Sequence, residues 1–264
     1  MLHPRMDVED KAHLVHFRKS MKKFSTTHDH TFSIVNYSKP YSFGRLNNDV
    51  IVLLSSLGIT NDKLLAKQSQ YFQWISEASN DPMKAFDLLS STGEYYLAEK
   101  VLLDGLDDPK VSGKINSIQL SEIAKFKNDR GKGKSRIFVK DSRRLFGVCD
   151  PFRVLKEGEV QIRITTGRKG ETTPIHGDVL VVRNPCLHPG TFCEILETSI
   201  FTIITGDCLK LRAAYHEKLA HLVDCVVFAT VARPGHHSAP SMSSGGDLDG
   251  EQLGLTTCQC RNMI

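Results

Sequence analysis

The spacing of apolar residues divides the chain into two parts. In the first part, Leu64, Tyr71 and Ile75 recur at helical spacing, which predicts helices over residues 61–78, 82–92, 94–104 and 112–127. Asp81 followed by Pro82 is typical of an N-cap and a first-turn proline. We predict that the apolar stripes of these helices form a core that includes Met83, Phe86, Leu89, Ile115, Ile118, Ile123 and Phe126.

The second part has the texture of β-structure. Val160, Ile162 and Ile164 alternate with polar residues, and residues 179–182 and 223–228 are β-branched runs. Glycine and proline cut this part into short strands, which is typical of a small barrel or sandwich. The boundary falls in the polar, glycine-rich residues 128–135. The fold class is therefore α+β, with helices followed by strands.

Composition and charge exclude several classes of protein. The 264 residues are 40% hydrophobic and 24% charged, so the chain is neither disordered nor fibrous. It contains no apolar run long enough to span a membrane, and its charged start is unlike a secretory signal. We expect a soluble intracellular protein without a membrane partner, and the sequence leaves nuclear and cytoplasmic residence open.

The seven cysteines are scattered along the chain and favour free thiols in a reducing compartment. Cys258 and Cys260, with His236 and His237 upstream, can be interpreted as half of a metal site. Their spacing matches no common zinc site. We therefore do not predict a zinc ion.

Basic residues are concentrated in one stretch of the chain. Residues 125–144 contain nine Lys and Arg against two Asp, although the whole chain has a net charge of only +4. Such a stretch is either an electrostatic track for RNA or triphosphate, or a solvated linker. Both interpretations stay open.

The strongest chemical signal is an acidic motif, S-G-G-D-L-D-G-E, at residues 244–251. It spaces Asp247, Asp249 and Glu251 two residues apart, so that in an extended segment the three carboxylates point to one side. Crowded carboxylates repel one another unless a cation lies among them, and oxygen ligands suit Mg²⁺ or Mn²⁺. The motif predicts a site for one or two such ions.

The motif has three other interpretations. An EF-hand loop counted from Asp247 needs glycine at its sixth position and glutamate at its twelfth, where this chain has Gln252 and Cys258. A DxDG phosphatase has its aspartate at the end of a hydrophobic strand, whereas here Ser-Met-Ser-Ser-Gly-Gly precedes it. A solvated acidic turn stays open.

Six blocks of the sequence resemble the eukaryotic, cell-encoded RNA-dependent RNA polymerases of RNA silencing, in the order of that family. The blocks are F-R-K-S-M-K-K-F (17–24), R-L-N-N-D-V-I-V-L-L-S-S-L-G-I (45–59), L-F-G-V-C-D-P-F-R-V-L-K-E-G-E-V (145–160), V-V-R-N-P-C-L-H-P-G (181–190), H-L-V-D-C-V-V-F (221–228) and S-G-G-D-L-D-G (244–250).

The resemblance implies a two-barrel polymerase fold. Residues 1–45 would be the remnant of a first barrel, residues 46–134 a helical connector, and residues 135–264 a second, double-psi β-barrel that carries the acidic motif. Asp247 and Asp249 align with two metal-binding aspartates of the family. Position 251 aligns with a third, where this chain has Glu.

The implied function is RNA-directed synthesis of RNA from nucleoside triphosphates by two Mg²⁺ or Mn²⁺ ions, with an RNA template and silencing proteins as partners. Asp247, Asp249 and Glu251 are the candidate catalytic and metal-binding residues. The candidate RNA or nucleotide contacts are the basic residues Lys22, Lys23, Lys140, Arg143, Arg144 and Arg183. The alternative is a catalytically inactive, RNA-binding remnant of such a polymerase.

Three departures from the family pattern favour that alternative. Glu251 moves its carboxylate outward by one methylene, which octahedral Mg²⁺ tolerates poorly. Residues 191–206 interrupt the family's run C-L-H-P-G-D, so we predict an insertion that is either a retained intron or a novel loop. Few residues follow the motif, and the resemblance predicts a truncated core.

Overall fold

The computed structural model describes Ser25 and residues 44–126, 136–139, 141–166, 170–183, 191–192, 204–205, 207–231, 238–242, 248 and 252–256. The N-terminal block at residues 17–24 and most of the basic stretch at 125–144 lie outside the described residues. The predicted domain boundaries stay predictions.

Along the chain, five helices separate two short strands that pair with each other. The strands are β1 (Arg45–Asn47) and β2 (Arg136–Phe138), which pair antiparallel with Arg45 opposite Phe138. The helices are α1 (Asn48–Ser56), α2 (Asn61–Glu77), α3 (Pro82–Ser91), α4 (Tyr95–Asp104) and α5 (Pro109–Phe126).

Side-chain caps fix where two helices begin. Asp81 Oδ1 accepts hydrogen bonds from the backbone N–H groups of Met83 and Lys84 at 2.9 and 3.3 Å, which confirms the predicted N-cap before α3. Asn47 Oδ1 accepts from the Val50 N–H at 2.9 Å and starts α1, a helix that the apolar spacing does not predict. The positions of α2, α3 and α4 agree with the prediction to within a residue or two.

Two apolar residues predicted to be core are exposed instead. The exposed fraction of Met83 is 62% and that of Ile123 is 42%. In α3 the buried face is Ala85, Leu88 and Leu89, and Met83 points away from it. In α5 the neighbouring Glu122 occupies the core-facing position, with 5% exposed, so Ile123 turns outward.

The helices pack against one face of a sheet. Their core cluster includes Leu54, Leu89 and Ile115 together with Val182 and Cys208, which belong to strands of the sheet. The helical layer and the sheet therefore share one hydrophobic cluster.

The second part of the chain forms nine further strands among the described residues. They are β3 (Ser142–Cys149), β4 (Glu159–Thr165), β5 (Thr172–Pro174), β6 (Gly177–Arg183), β7 (Thr191–Phe192), β8 (Ile204–Thr205), β9 (Cys208–Ala213), β10 (Cys225–Phe228) and β11 (Gln252–Thr256). This part also contains a short helix, α6 (Ala239–Met242), and a 3-10 helix (Glu217–Leu219).

Seven of these strands form one curled sheet in the order β10-β3-β11-β6-β9-β4-β5. The curl brings β10 against β4 as well, with Val226 opposite Ile162, so six strands are paired in a ring. β10 with β3 and β4 with β9 are the parallel pairs. The inner face of the curl is an apolar cluster that includes Leu145, Val160, Val181, Leu209 and Phe228.

The outer face of β4 is partly covered, with Gln161 buried and Arg163 half-buried. Gln161 Oε1 accepts from the His216 N–H at 2.6 Å, and Arg163 Nη1 donates to the Ala220 carbonyl at 2.6 Å. These two side chains hold both ends of the 3-10 helix against the sheet. A third apolar cluster, which includes Leu155 and Leu219, joins the 3-10 helix to the sheet.

The ends of the predicted insertion pair with each other. Thr191 lies opposite Thr205 and Phe192 opposite Ile204, so β7 and β8 form a short antiparallel ladder. β6 and β9 remain paired up to Val182 and Cys208.

Among the helices that the structure describes, none has the length and apolar character that a membrane crossing requires.

Candidate active site

The acidic motif leads directly into the middle of the curled sheet. Asp247, Asp249 and Glu251 lie outside the described residues, but Leu248 between them is described. Leu248 has a left-handed backbone, with φ at 59°, and packs against the inner apolar cluster. β11 begins at Gln252, immediately after the motif.

The register of β11 defines which strands flank the motif. Gln252 lies opposite Phe146 of β3, and Leu253 lies opposite Arg183 of β6. β3 and β6 both run antiparallel to β11, so their C-terminal ends lie at the end of the sheet where β11 starts. We call this the motif end of the sheet.

Strand alternation separates the three described candidate arginines into two groups. Arg143 lies opposite Leu255, which lies opposite the inner-face residue Val181, and Arg183 lies opposite Leu253, which lies opposite the inner-face residue Leu145. Paired residues share a face of a sheet. Arg143 and Arg183 are therefore on the inner face.

Arg144 is on the other face. It lies opposite Gly254, which lies opposite Val182 of the helix-facing cluster. Arg144 is exposed, whereas Arg143 is half-buried and its Nη1 donates to the Ser142 carbonyl at 2.8 Å. The sequence groups the two neighbours together, but the structure does not bring their side chains to one surface.

Arg183 is the described candidate nearest the motif end. It is the last residue of β6, and its N–H donates to the Asp207 carbonyl at 3.1 Å. Asp207 is fully buried. Lys22, Lys23 and Lys140 lie outside the described residues, and their RNA contacts stay predictions.

Two buried thiols beside this region are not reactive groups. Burial raises the pKa of Cys208 to about 12, with the adjacent Asp207 adding to the effect. Burial likewise raises the pKa of Cys225 to about 12, with Asp224 adding to it. Neutral thiols are poor nucleophiles and poor metal ligands. Cys258, Cys260, His236 and His237 lie outside the described residues.

A buried carboxylate that the sequence analysis does not single out lies in the turn after β3. Asp150 has 2% of its surface exposed, and its two oxygens accept from the N–H groups of Phe152, Val154 and Leu155. The Asp-Pro dipeptide at 150–151 is a turn signal that could have located it. Its role is to hold the turn, because its oxygens are committed to backbone donors.

The described residues contain no cluster of three His, Cys, Asp or Glu side chains able to hold a metal. The predicted ligands Asp247, Asp249 and Glu251 are outside that set. Their chemistry as an all-oxygen donor group fits Mg²⁺ or Mn²⁺.

A family model described as RNA dependent RNA polymerase matches residues 3–259. A "Probable RNA-dependent RNA polymerase 1" of Oryza sativa subsp. japonica is 33% identical over 89% of this chain and 29% of its own length. "RNA-dependent RNA polymerase 1" of Arabidopsis thaliana is 30% identical over 89% of this chain and 19% of its own length.

A more distant relative and a solved structure show the same pattern of coverage. "RNA-dependent RNA polymerase 1" of Schizosaccharomyces pombe is 27% identical over 92% of this chain and 20% of its own length. The solved "RNA dependent RNA polymerase QDE-1 from Thielavia terrestris" matches 86% of this chain and 26% of that one, at 20% identity and a TM-score of 0.48. The chain thus spans less than a third of each of these proteins.

Proposed function

The chain belongs to the RNA-dependent RNA polymerase family, and from that premise we propose that it carries the catalytic motif for RNA-templated transfer of nucleotides from nucleoside triphosphates to RNA. The RNA template and the triphosphates are its proposed partners, in the setting of RNA silencing. The observation that carries the proposal is the position of β11, which follows D-L-D-G-E directly and lies between β3 and β6.

We propose that the curled sheet is the second double-psi β-barrel of a two-barrel polymerase. The ring of six strands and its two parallel pairs, β10 with β3 and β4 with β9, support this assignment. The apolar inner face gives the strands that flank the motif a rigid support.

Asp247 and Asp249, with Glu251, would hold Mg²⁺ or Mn²⁺. Bound ions of this kind assist attack of a 3′-hydroxyl on an α-phosphate and stabilise the charge that develops on the pyrophosphate. The carboxylates act as ligands and not as proton carriers.

Arg183 is our preferred phosphate contact among the described residues. It lies opposite Leu253, two residues after Glu251, at the motif end of the sheet, so its charge is near the segment that carries the carboxylates. Arg143 lies on the same face of the sheet but two residues farther along the ladder, opposite Leu255. Arg144 faces the other way, and we expect it to contribute little to catalysis.

Primer extension on a single-stranded RNA template tests the activity. Because the relatives are much longer, the assay uses both the 264-residue chain and the rice relative carrying residues 3–259 in place of its matching segment. We expect Mg²⁺- or Mn²⁺-dependent incorporation by the chimera, reduced at least about a hundredfold by Asp249→Ala. Incorporation that survives Asp249→Ala would exclude the carboxylate assignment.

The second candidate function is RNA binding without synthesis, and Glu251 favours it. Glu251→Asp in the same chimera separates the two. Incorporation that appears only after this substitution indicates a polymerase site disabled by one methylene. A chimera that binds RNA but stays inactive with either residue supports the RNA-binding alternative.

A further inference from the structure

The turn between β3 and β4 is held by an unusually complete set of internal bonds. Asp150 Oδ1 accepts from the Phe152 N–H at 2.8 Å, and Oδ2 accepts from the N–H groups of Val154 and Leu155 at 2.6 and 2.8 Å. The Asp150 N–H donates to the Phe228 carbonyl at 2.9 Å. Leu155, with 1% exposed, anchors the other end in an apolar cluster. The backbone between these anchors is therefore fixed.

This rigid turn exposes an aromatic ring and a guanidinium. The exposed fraction of Phe152 is 44%, and the adjacent Arg153 is exposed. Phe152 lies edge to face with His221, with ring centroids 6.0 Å apart and an interplanar angle of 74°. An edge-to-face contact does not cover both faces of both rings.

Arg153 adopts a backbone conformation that favours glycine. Its φ is 53°, in the left-handed region where a non-glycine residue is strained. Strain of this kind persists only where the surrounding structure holds the residue in place.

The other described non-glycine residues with left-handed φ are Asp224 and Leu248. The Asp224 carboxylate accepts from the Thr165 N–H and Oγ1–H at 2.8 and 2.7 Å, and Leu248 packs against the inner apolar cluster. At Arg153 the left-handed backbone lets the N–H groups on either side of it, those of Phe152 and Val154, both reach the Asp150 carboxylate. No hydrogen bond or ion pair joins its guanidinium to another described residue, so the side chain that this turn presents is available for a ligand.

The turn leaves the sheet at the motif end. β11 starts opposite Phe146, and β3 continues from there to Cys149 before the turn begins at Asp150. At the usual rise of a strand, this separation is about 13 Å along the sheet. A nucleic acid chain bound near the motif could therefore reach the turn.

The chemistry of the exposed pair fits single-stranded RNA. An aromatic face stacks on any unpaired base, and an arginine beside it contacts phosphate. Duplex RNA keeps its bases stacked on one another and offers no free base face. The exposed residues nearest to the pair are Pro151 and Lys156 in sequence and His221 across the ring contact, and none of them is an acid.

We propose that Phe152 and Arg153 form a contact for single-stranded RNA, separate from the carboxylate motif, in which a base stacks on the Phe152 ring and Arg153 binds a neighbouring phosphate. The contact rests on the proposed function, because it requires a chain that handles RNA. This contact would bind the template or product strand beside the sheet, and it takes no part in bond formation.

Fluorescence anisotropy with a short labelled oligoribonucleotide tests this contact in the full chain. Phe152→Ala should weaken binding of single-stranded RNA roughly five- to hundredfold. Arg153→Gly should weaken it too and reduce the salt dependence by about one phosphate contact. Neither should change the affinity for a duplex of the same sequence.

Arg153→Gly also separates function from folding. Glycine relieves the left-handed strain, so the variant should melt at a temperature no lower than the wild type while its RNA affinity falls. Arg212→Gln is the matched control, because it removes an exposed charge from β9 and keeps the backbone N–H of residue 212 that donates to the Gly158 carbonyl. It should leave RNA affinity unchanged.

Unchanged single-strand affinity in Arg153→Gly and Phe152→Ala would overturn the proposal. Equal losses in Arg153→Gly and Arg212→Gln would also overturn it, because net charge alone would then explain binding. Asp249→Ala tests the proposed polymerase activity and not this RNA contact. RNA binding that depends on Phe152 and Arg153 without any primer extension refutes the polymerase activity and leaves this contact standing.

Discussion

The helical layer and the curled sheet each bury a carboxylate, and they satisfy it in different ways. In the helices, Glu122 Oε2 accepts from Arg45 Nη1 at 2.8 Å and from the Tyr71 hydroxyl at 2.5 Å. In the sheet, Asp150 is satisfied by N–H groups of its own turn. The first arrangement joins β1, α2 and α5, whereas the second fixes only a few consecutive residues.

The two kinds of hydrogen-bond partner indicate different roles for the two carboxylates. Side-chain partners come from distant parts of the chain and can be replaced together by apolar residues of similar volume. Backbone donors remain after any substitution except one to proline, so a carboxylate that binds three of them has no simple apolar equivalent. We infer that Glu122 stabilises packing between elements, whereas Asp150 fixes the shape of a turn.

The largest expected effect is at Glu122. Glu122→Leu should lower the free energy of unfolding by about 3–5 kcal/mol, because it leaves the half-buried Arg45 guanidinium without its carboxylate partner. The triple variant Arg45→Met, Tyr71→Phe, Glu122→Leu should recover most of that loss. Urea denaturation followed by circular dichroism measures both. A triple variant as unstable as the single one would contradict the replaceable character of this cluster.

Asp150→Ala should lower the free energy of unfolding by about 2–4 kcal/mol, since three backbone N–H groups, one buried and two partly buried, lose their acceptor. Asp150→Asn is the matched control. It keeps a single carbonyl oxygen and should lose about half as much. The same denaturation experiment compares them, and an Asn variant as stable as the wild type would show that the charge contributes nothing.

Local features of both regions could be predicted from the sequence. The Asp81-Pro82 pair predicts the start of α3, and the β-branched run at 179–182 falls within β6, because caps and strand runs are encoded by consecutive residues. The six blocks also identify the family. Such signals act over a few residues and need no knowledge of distant contacts.

Long-range features could not be predicted in this way. The 3-10 helix that packs against β4 buries Gln161 completely, although its polar side chain alternates with apolar neighbours as an exposed residue would. Arg143 and Arg144 appear as one basic pair in sequence, and only the register with β11 assigns them to opposite faces. Register depends on the whole sheet, which no local pattern specifies.

The smallest effect we predict distinguishes the helical cluster by its response to alkaline pH. Burial raises the pKa of the Tyr71 phenol above its usual 10.0, with Glu122 adding to the effect and Arg45 opposing it. The folded state therefore holds this proton more tightly than the unfolded state. The resulting stability is fully present below about pH 10 and is lost as the pH rises toward the folded-state pKa. Urea denaturation between about pH 9 and pH 11 should show a steeper loss for the wild type than for Tyr71→Phe.

The raised pKa values of Cys208 and Cys225 in the sheet also lower stability at alkaline pH, but both proteins contain these thiols and their contribution cancels in the difference. Parallel curves for the two proteins would mean that Tyr71 is not held in the cluster as the geometry indicates.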